Sequence, residues 1–237
     1  MYTYLAMPLD TLPVELRLHI YEYLPELRVN RHKSVAPHTP LTPGICRAST
    51  WLRRETLPIY ARNAHFGIQA DNNAYPKGNR VPIWLSTLND SIKHVQSFQL
   101  SRFWVTSGPP TRGQGHVGFY IFFERRSEDR WKVSGGTYPL VYDPRARRGE
   151  SVLRLLRVLH QTVLVEGLEL RGEKPQLRRE DVERVAAAMD LIASRPFTSN
   201  AFADQSEEGR DAWSKALEDL ESDLYALWPK WSGARAS

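Results

Sequence analysis

The sequence predicts an α+β fold: an N-terminal helical unit packed on, or linked to, a small antiparallel or mixed sheet that helices at the C-terminal end cover. Three observations carry this expectation. The stretch LPVELRLHIYEYL at 12–24 has helical spacing and an early proline. The run HVGFYIFFERR at 116–126 has the aromatic and β-branched content of a strand, and three amphipathic segments fill the region from 150 to 228. The composition agrees, because 237 residues with 41% hydrophobic and 25% charged side chains fit a folded chain of one large domain or two small ones.

Pro13 suits the first position of the opening helix, where its missing N–H would be unpaired in any case. Glu15 favours the positive helix end, and Pro25 stops the helix. The next stretch, Glu26 to Gly44, holds three prolines and no apolar period, so it reads as an exposed loop. Thr42-Pro43 offers a cap and first turn for a second helix through Leu57, with Ile45, Ala48, Trp51 and Leu52 at helical spacing. Pro58 is expected to break that helix, leaving a helical turn that leads into a strand near Phe66 and Ile68.

Gln69 to Arg80 reads as a surface connection. PIWLSTLND at 82–90 reads as a short helix, and VQSFQLSRFW at 95–104 and TYPLVYD at 137–143 as strands. Within the aromatic run, Val117, Phe119, Ile121 and Phe123 alternate on one face while Tyr120 and Phe122 fill the other. This predicts a central strand covered on both sides. Glu124 to Arg130 reads as a polar turn, making 116–142 a hairpin or meander, and helices are expected at 150–165, 176–193 and 207–228. The expected division is a helical segment over residues 1–66 and an α+β domain over 67–237, with its sheet at about 95–142.

Helical wheels separate two kinds of helix. The last gathers Trp213, Ala216, Leu217, Leu220, Leu224, Leu227 and Trp228 into one stripe, which needs one partner surface. The first has two apolar arcs: Leu12, Leu16, Ile20, Tyr23 and Leu24 form one, Val14, Leu18 and Tyr21 the other, and Glu15, His19 and Glu22 share the polar side. The expectation is that the helix bearing Ile45, Ala48 and Leu52 covers the first arc. The second is left for the downstream domain or for another protein.

Other function classes find little support. Cys46 is the single cysteine, so no internal disulfide framework exists; on an apolar helix it reads as a small core residue, and the sequon Asn89-Asp90-Ser91 as an accident. No apolar run is long enough for a membrane span and the first ten residues lack a signal-peptide pattern, so the expected location is the cytosol or nucleus. The formal charge of +5 is spread along the chain. The groups Arg28, Arg31, Lys33, then Arg125, Arg126, Arg130, then Arg145, Arg147, Arg148 read as solvated loop charge, which argues against nucleic acid as a partner. Gly113 to Gly118 spells G-x-G-x-x-G, but it follows Ser107-Gly108-Pro109-Pro110 and opens a strand, so it reads as a strand-entry loop and not a nucleotide site. The seven histidines show no metal spacing, and no nucleophile elbow or triad signature is present. No catalytic residue, cofactor or metal is expected.

Leu12-Pro13-x-Glu15-Leu16 followed by Ile20, Tyr23 and Leu24 resembles the first helix of an F-box. The continuation resembles the fungal group of F-box-like proteins, in which an LPxELRxxIYxYL helix precedes a CRxxRxE-type helix, LPIYY and N-x-F. Here these are Trp51-Leu52-Arg53-Arg54-Glu55, Leu57-Pro58-Ile59-Tyr60, and Asn63 with Phe66, so the likeness covers about residues 9 to 66. A weaker echo lies in PIWLSTLNDSIKHVQSFQL. Two departures stand out: Ile45-Cys46-Arg47 lies several residues too far from Glu55, whereas the register that keeps the spacing puts Ser49 and Thr50 in place of Cys and Arg. The 26–44 loop is also longer than a compact F-box has. Both registers remain open.

The resemblance implies a non-enzymatic substrate adaptor of a ubiquitin ligase. Its first helix would dock on an Skp1-type subunit through Leu12, Pro13, Val14, Glu15, Leu16, Leu18, Ile20, Tyr21 and Leu24, while the second domain presents a substrate protein. The alternative is that the F-box-like segment is purely structural, and an unrecognised enzyme comes third. Val14, Leu18 and Tyr21 separate the first two, being exposed if they await an adaptor and buried if they do not.

Overall fold

The computed structural model describes residues 8–28, 40–70, 80–103, 118–127, 130–138, 148–160, 177–194 and 206–228. Its class is α+β, with helices before and after a mixed sheet of four strands. The strands are β1 (His65–Gln69), β2 (Ser97–Phe103), β3 (Gly118–Ser127) and β4 (Arg130–Tyr138), in spatial order β1-β2-β3-β4. β1 runs parallel to β2, and the other two pairs are antiparallel. A parallel pair needs a crossover, which here contains the helix Val81–Leu88 and the 3-10 turn Asn89–His94.

Register puts Phe66, Phe98, Phe123 and Val133 in one row across the sheet, and Ile68, Leu100, Ile121 and Gly135 in the next. Side chains in these rows share one face, and that face is the core. β3 is central as expected, but among the described residues the helices cover one of its faces. Phe119, Ile121 and Phe123 are buried, whereas Tyr120 and Phe122 are half-buried beside His65, Ser97, Gln99 and Ser101. The reason lies in the helices, whose contacts fall on the first face: Trp84 meets Phe66 and Phe98, Leu156 approaches Gly135 near Ile121, and Asp190 pairs with Arg102. An antiparallel sheet tolerates one face left to polar and amphipathic groups. β3 also runs on to Ser127 through the expected Glu124–Arg130 turn, with a register irregularity between Arg125 and Ser127.

Gly135 stands where the sheet approaches itself closely. A Cβ there would lie 2.7 Å from the Tyr120 carbonyl oxygen, whereas a Cβ at Gly136 would first meet the Tyr120 side chain, its hydroxyl at 2.9 Å and its ring at 3.0 Å. A ring can turn away but a backbone carbonyl in the ladder cannot. Gly135→Ala is therefore expected to cost about 1–3 kcal/mol and Gly136→Ala clearly less. Thermal melting of the two variants decides this, and equal losses would contradict it.

The helices are α1 (Val14–Glu22), α2 (Ile45–Ala48), α3 (Thr50–Asn63), α4 (Val81–Leu88), α5 (Arg148–Leu159), α6 (Arg179–Ser194) and α7 (Glu207–Leu227). Two expectations about the second helical segment need correction. It is broken at Ser49, whose backbone is extended and whose hydroxyl accepts the Leu52 N–H at 3.1 Å, so Ser49 and not Thr42 is the side chain that caps it. Pro58 does not end α3, which continues to Asn63. A helix-interior proline costs about 3 kcal/mol. Burial of Leu57, Tyr60 and Ala61 offsets that cost, and the Asn63 amide donates to the Leu27 carbonyl at 2.8 Å.

α3 joins the sheet through a chain of rings. Tyr60 meets Phe66 edge-on at 5.6 Å, Phe66 meets Trp84 at 5.3 Å, Trp84 meets Phe98 at 5.7 Å, and Phe98 stacks on Phe123 at 4.6 Å. The buried side chains from Tyr21 to Trp228 form one apolar cluster. Several sequence expectations lie outside the described residues: Gly113 to Val117, Pro139 to Asp143, the connection 71–79, the 161–165 end of the first late helix, and the basic residues Arg31, Lys33, Arg145 and Arg147.

Candidate functional site

α1 is nine residues long, and at about 100° per residue Arg17 and Tyr21 stand one turn apart on the same ridge. Trp51 and Glu55 form the matching ridge on α3. Arg17 donates to Glu55 from Nη2 at 2.5 Å and from Nε at 3.1 Å, Tyr21 donates its hydroxyl to Glu55 Oε2 at 2.8 Å, and the Arg17 guanidinium lies 5.1 Å from the centre of the Trp51 ring. Arg17 also donates to the Leu12 carbonyl, tying the start of the helix to the same point. This is a fork-on-carboxylate pair with a third donor and an aromatic floor.

The electrostatics follow from that geometry. The bond from Arg17 holds the Glu55 carboxyl below the usual carboxylate range, against the opposing effect of burial. Burial, followed by the bond to Glu55, pushes the Tyr21 phenol up to about 12. At neutral pH the clamp therefore holds one guanidinium, one carboxylate and one neutral phenol.

The remaining apolar groups of α1 are not covered. Val14 is 43% exposed, Leu16 52%, Leu18 40%, Ile20 40% and the capping Tyr23 62%, while Tyr21 is fully buried. The expected covering of the Leu16–Ile20–Tyr23 arc by the helix bearing Ile45, Ala48 and Leu52 does not occur. α1 meets α3 on the Arg17–Tyr21 edge instead, where Tyr21 borders the second arc, so Leu16, Ile20 and Tyr23 on one flank and Val14 and Leu18 on the other stay open. Only Leu12 and Leu24 at the ends are half-buried, and Pro13 and Glu15 are exposed with the flanks. Of the three discriminating residues, Val14 and Leu18 are exposed and Tyr21 is an anchor.

Arg17 and Glu55 were not among the partner-binding residues expected from sequence, although both lie inside the quoted motifs. Their signal was present in the spacing: a basic residue four before Tyr21, and an acidic one four after Trp51. What sequence could not supply was the placement of one helix over the other across the 26–44 loop.

Cys46 agrees with its reading as a core residue, since it is buried with its sulfur 3.2 Å from the Thr56 hydroxyl, and burial pushes its thiol pKa up. His65 Nδ1 lies 2.7 Å from the Ser97 hydroxyl, a contact created by the parallel β1–β2 register and invisible in the sequence. Burial lowers the His65 pKa, so this ring is neutral at pH 7. Among the described residues no cluster of three or more His, Cys, Asp or Glu is placed to hold a metal, and no described helix is long and apolar enough to cross a membrane. Comparison of the chain with protein-family models, with curated proteins and with solved structures finds no match.

Proposed function

We propose that the chain is a non-enzymatic protein-interaction module whose α1 docks on an Skp1-type adaptor of a ubiquitin ligase, the rest of the molecule presenting a substrate protein. The observation that supports this most is the state of α1: it is pinned along one edge while Val14, Leu16, Leu18, Ile20 and Tyr23 face solvent on both flanks. A monomer gains nothing from five large apolar groups left in water on one short helix, whereas a partner that covers them recovers about 25 cal/mol for each Å² removed from solvent. The F-box-like motif at 12–24 supplies the class of partner, and such a function places the protein in the cytosol or nucleus.

Co-expression with an Skp1-type adaptor, followed by titration of the purified chains, tests the reading. Leu16→Asp or Ile20→Asp should weaken binding at least about thirtyfold, because each forces a carboxylate into an apolar interface. Val14→Ser with Leu18→Ser should weaken it by about tenfold. All three variants should melt within a few degrees of the parent, since the altered side chains are exposed. A parent chain that binds no adaptor would sink this reading and favour a purely structural F-box-like segment, which the burial of Tyr21 against α3 independently supports.

A further inference from the structure

Among the described residues, the polar contacts that cross from α1 to α3 end on one carboxylate: Glu55 accepts two bonds from Arg17 and one from Tyr21. Apolar packing along the helix itself rests on Tyr21, its one buried residue. The chain just after α1 is fixed separately, with Leu27 buried and its carbonyl held by Asn63 at 2.8 Å. Between these two anchors lie Tyr23, Leu24, Pro25 and Glu26, a short connection after the helix end in which Leu24 packs against the core and Glu26 accepts the Ile45 N–H at 3.3 Å.

We propose that Glu55 is the positioning residue of the α1 docking face: its two carboxylate oxygens set how α1 stands on α3, and loss of its charge frees α1 while the aromatic core stays folded. Its bearing on partner binding rests on the reading given above, but release of α1 is measurable with no partner present. With glutamine at position 55 a single amide oxygen is left for Arg17 and Tyr21 to share, the negative charge that holds the guanidinium is gone, and the new amide N–H groups face the donors of Arg17. Nothing in this change touches the rings from Tyr60 to Phe123, so α1 can loosen on its own between flanking residues that stay packed, Leu9 before it and Leu24 and Leu27 after it. Such local opening below the global unfolding free energy is the behaviour of a weakly buried element.

The experiment is amide hydrogen exchange on the full chain and on Glu55→Gln, comparing peptides over 14–22 with peptides over β2. The proposal expects protection over 14–22 to fall at least about tenfold in Glu55→Gln at pH 7, with β2 protection unchanged. Arg17→Lys, which keeps the charge but cannot form the fork, should fall between the two. Unchanged protection over 14–22 would overturn the proposal, and so would an equal loss over β2, because the effect would then be global.

A pH series adds a readout that loss of packing alone would not give. The charged and titratable groups facing Glu55 are Arg17 and Tyr21, both on α1, and neither changes charge between mildly acidic and neutral pH. The folded-state pKa of Glu55 lies below its unfolded value, so the clamp's contribution is complete above the unfolded value and is lost as pH falls through the folded one. The parent's protection should converge on that of Glu55→Gln over that acidic window. A difference that does not change with pH would count against the proposal. Adaptor titration then separates the two ideas, since a parent that binds no adaptor defeats the docking reading while exchange alone decides the role of Glu55.

Discussion

Deletion of residues 207–237 is expected to leave a chain with no cooperative melting transition. α7 buries Trp213, Leu217, Leu220 and Leu224, with Trp228 just beyond its end, and it packs against α5 and α6. Polar bonds fix the same interface: the Trp213 indole N–H donates to Glu150 at 2.7 Å, and Arg154 pairs with Glu221. Each large side chain contributes roughly 1.5–3 kcal/mol when buried, an upper bound because the unfolded chain is not fully extended. Five of them together rival the 5–15 kcal/mol that is the whole stability of a typical domain. The truncated chain should be insoluble or melt gradually by circular dichroism. A truncated chain with the parent's melting temperature would show that α7 is a separable appendage, and the partner surface would then be sought on its Trp213–Trp228 stripe.

That helix was legible because one stripe of seven apolar residues has only one sensible use. The same period read on α1 gave two arcs, the first expected to lie under the helix bearing Ile45, Ala48 and Leu52, but its central residues stay exposed and the contact falls on Arg17 and Tyr21. Wheel analysis weighs apolar area, whereas α1 is attached by a guanidinium, a phenol and a carboxylate. No hydrophobic scale ranks Arg17 as the residue that faces inward. Pro58 failed for a related reason. Its local cost is fixed by covalent geometry and visible in sequence, but the burial of Leu57, Tyr60 and Ala61 that outweighs it exists only after folding. β3 shows a third limit, since aromatic residues on both faces of a strand say nothing of which face the helices will choose.

The residues of the two quoted motifs meet in these contacts. Arg17 and Tyr21 from the first motif meet Glu55 from the second, Asn63 ties back to Leu27, and Tyr60 and Phe66 touch edge-on. Arg17 and Tyr21 attach the helix, while Val14, Leu16, Leu18, Ile20 and Tyr23 around them are exposed.

Replacing Phe98 with alanine is expected to be the most damaging single change to the fold, at about 3–5 kcal/mol. Phe98 is fully buried in β2 and its ring meets three others: Phe123 stacked at 4.6 Å, Trp84 tilted at 5.7 Å and Trp131 edge-on at 6.4 Å. It therefore joins α4, β3 and β4 at one point, and neighbours held on three sides collapse poorly into the space left behind. Phe122→Ala is the control, because it removes the same atoms from the half-covered opposite face and should cost less than half as much. Urea unfolding of both variants, and of Trp84→Ala alone and combined with Phe98→Ala, measures the terms. Since the two rings touch, the double variant should depart from the sum of the singles by about 0.5–3 kcal/mol. The consequence reaches α1. The helix stands on α3, and α3 reaches the sheet through Tyr60, Phe66, Trp84 and Phe98, so the Phe98 variant should lose protection in α1 and β2 together, whereas Glu55→Gln should lose it in α1 alone. If Phe98→Ala costs no more than Phe122→Ala, the ring chain is not what carries α3 and α1 on the sheet.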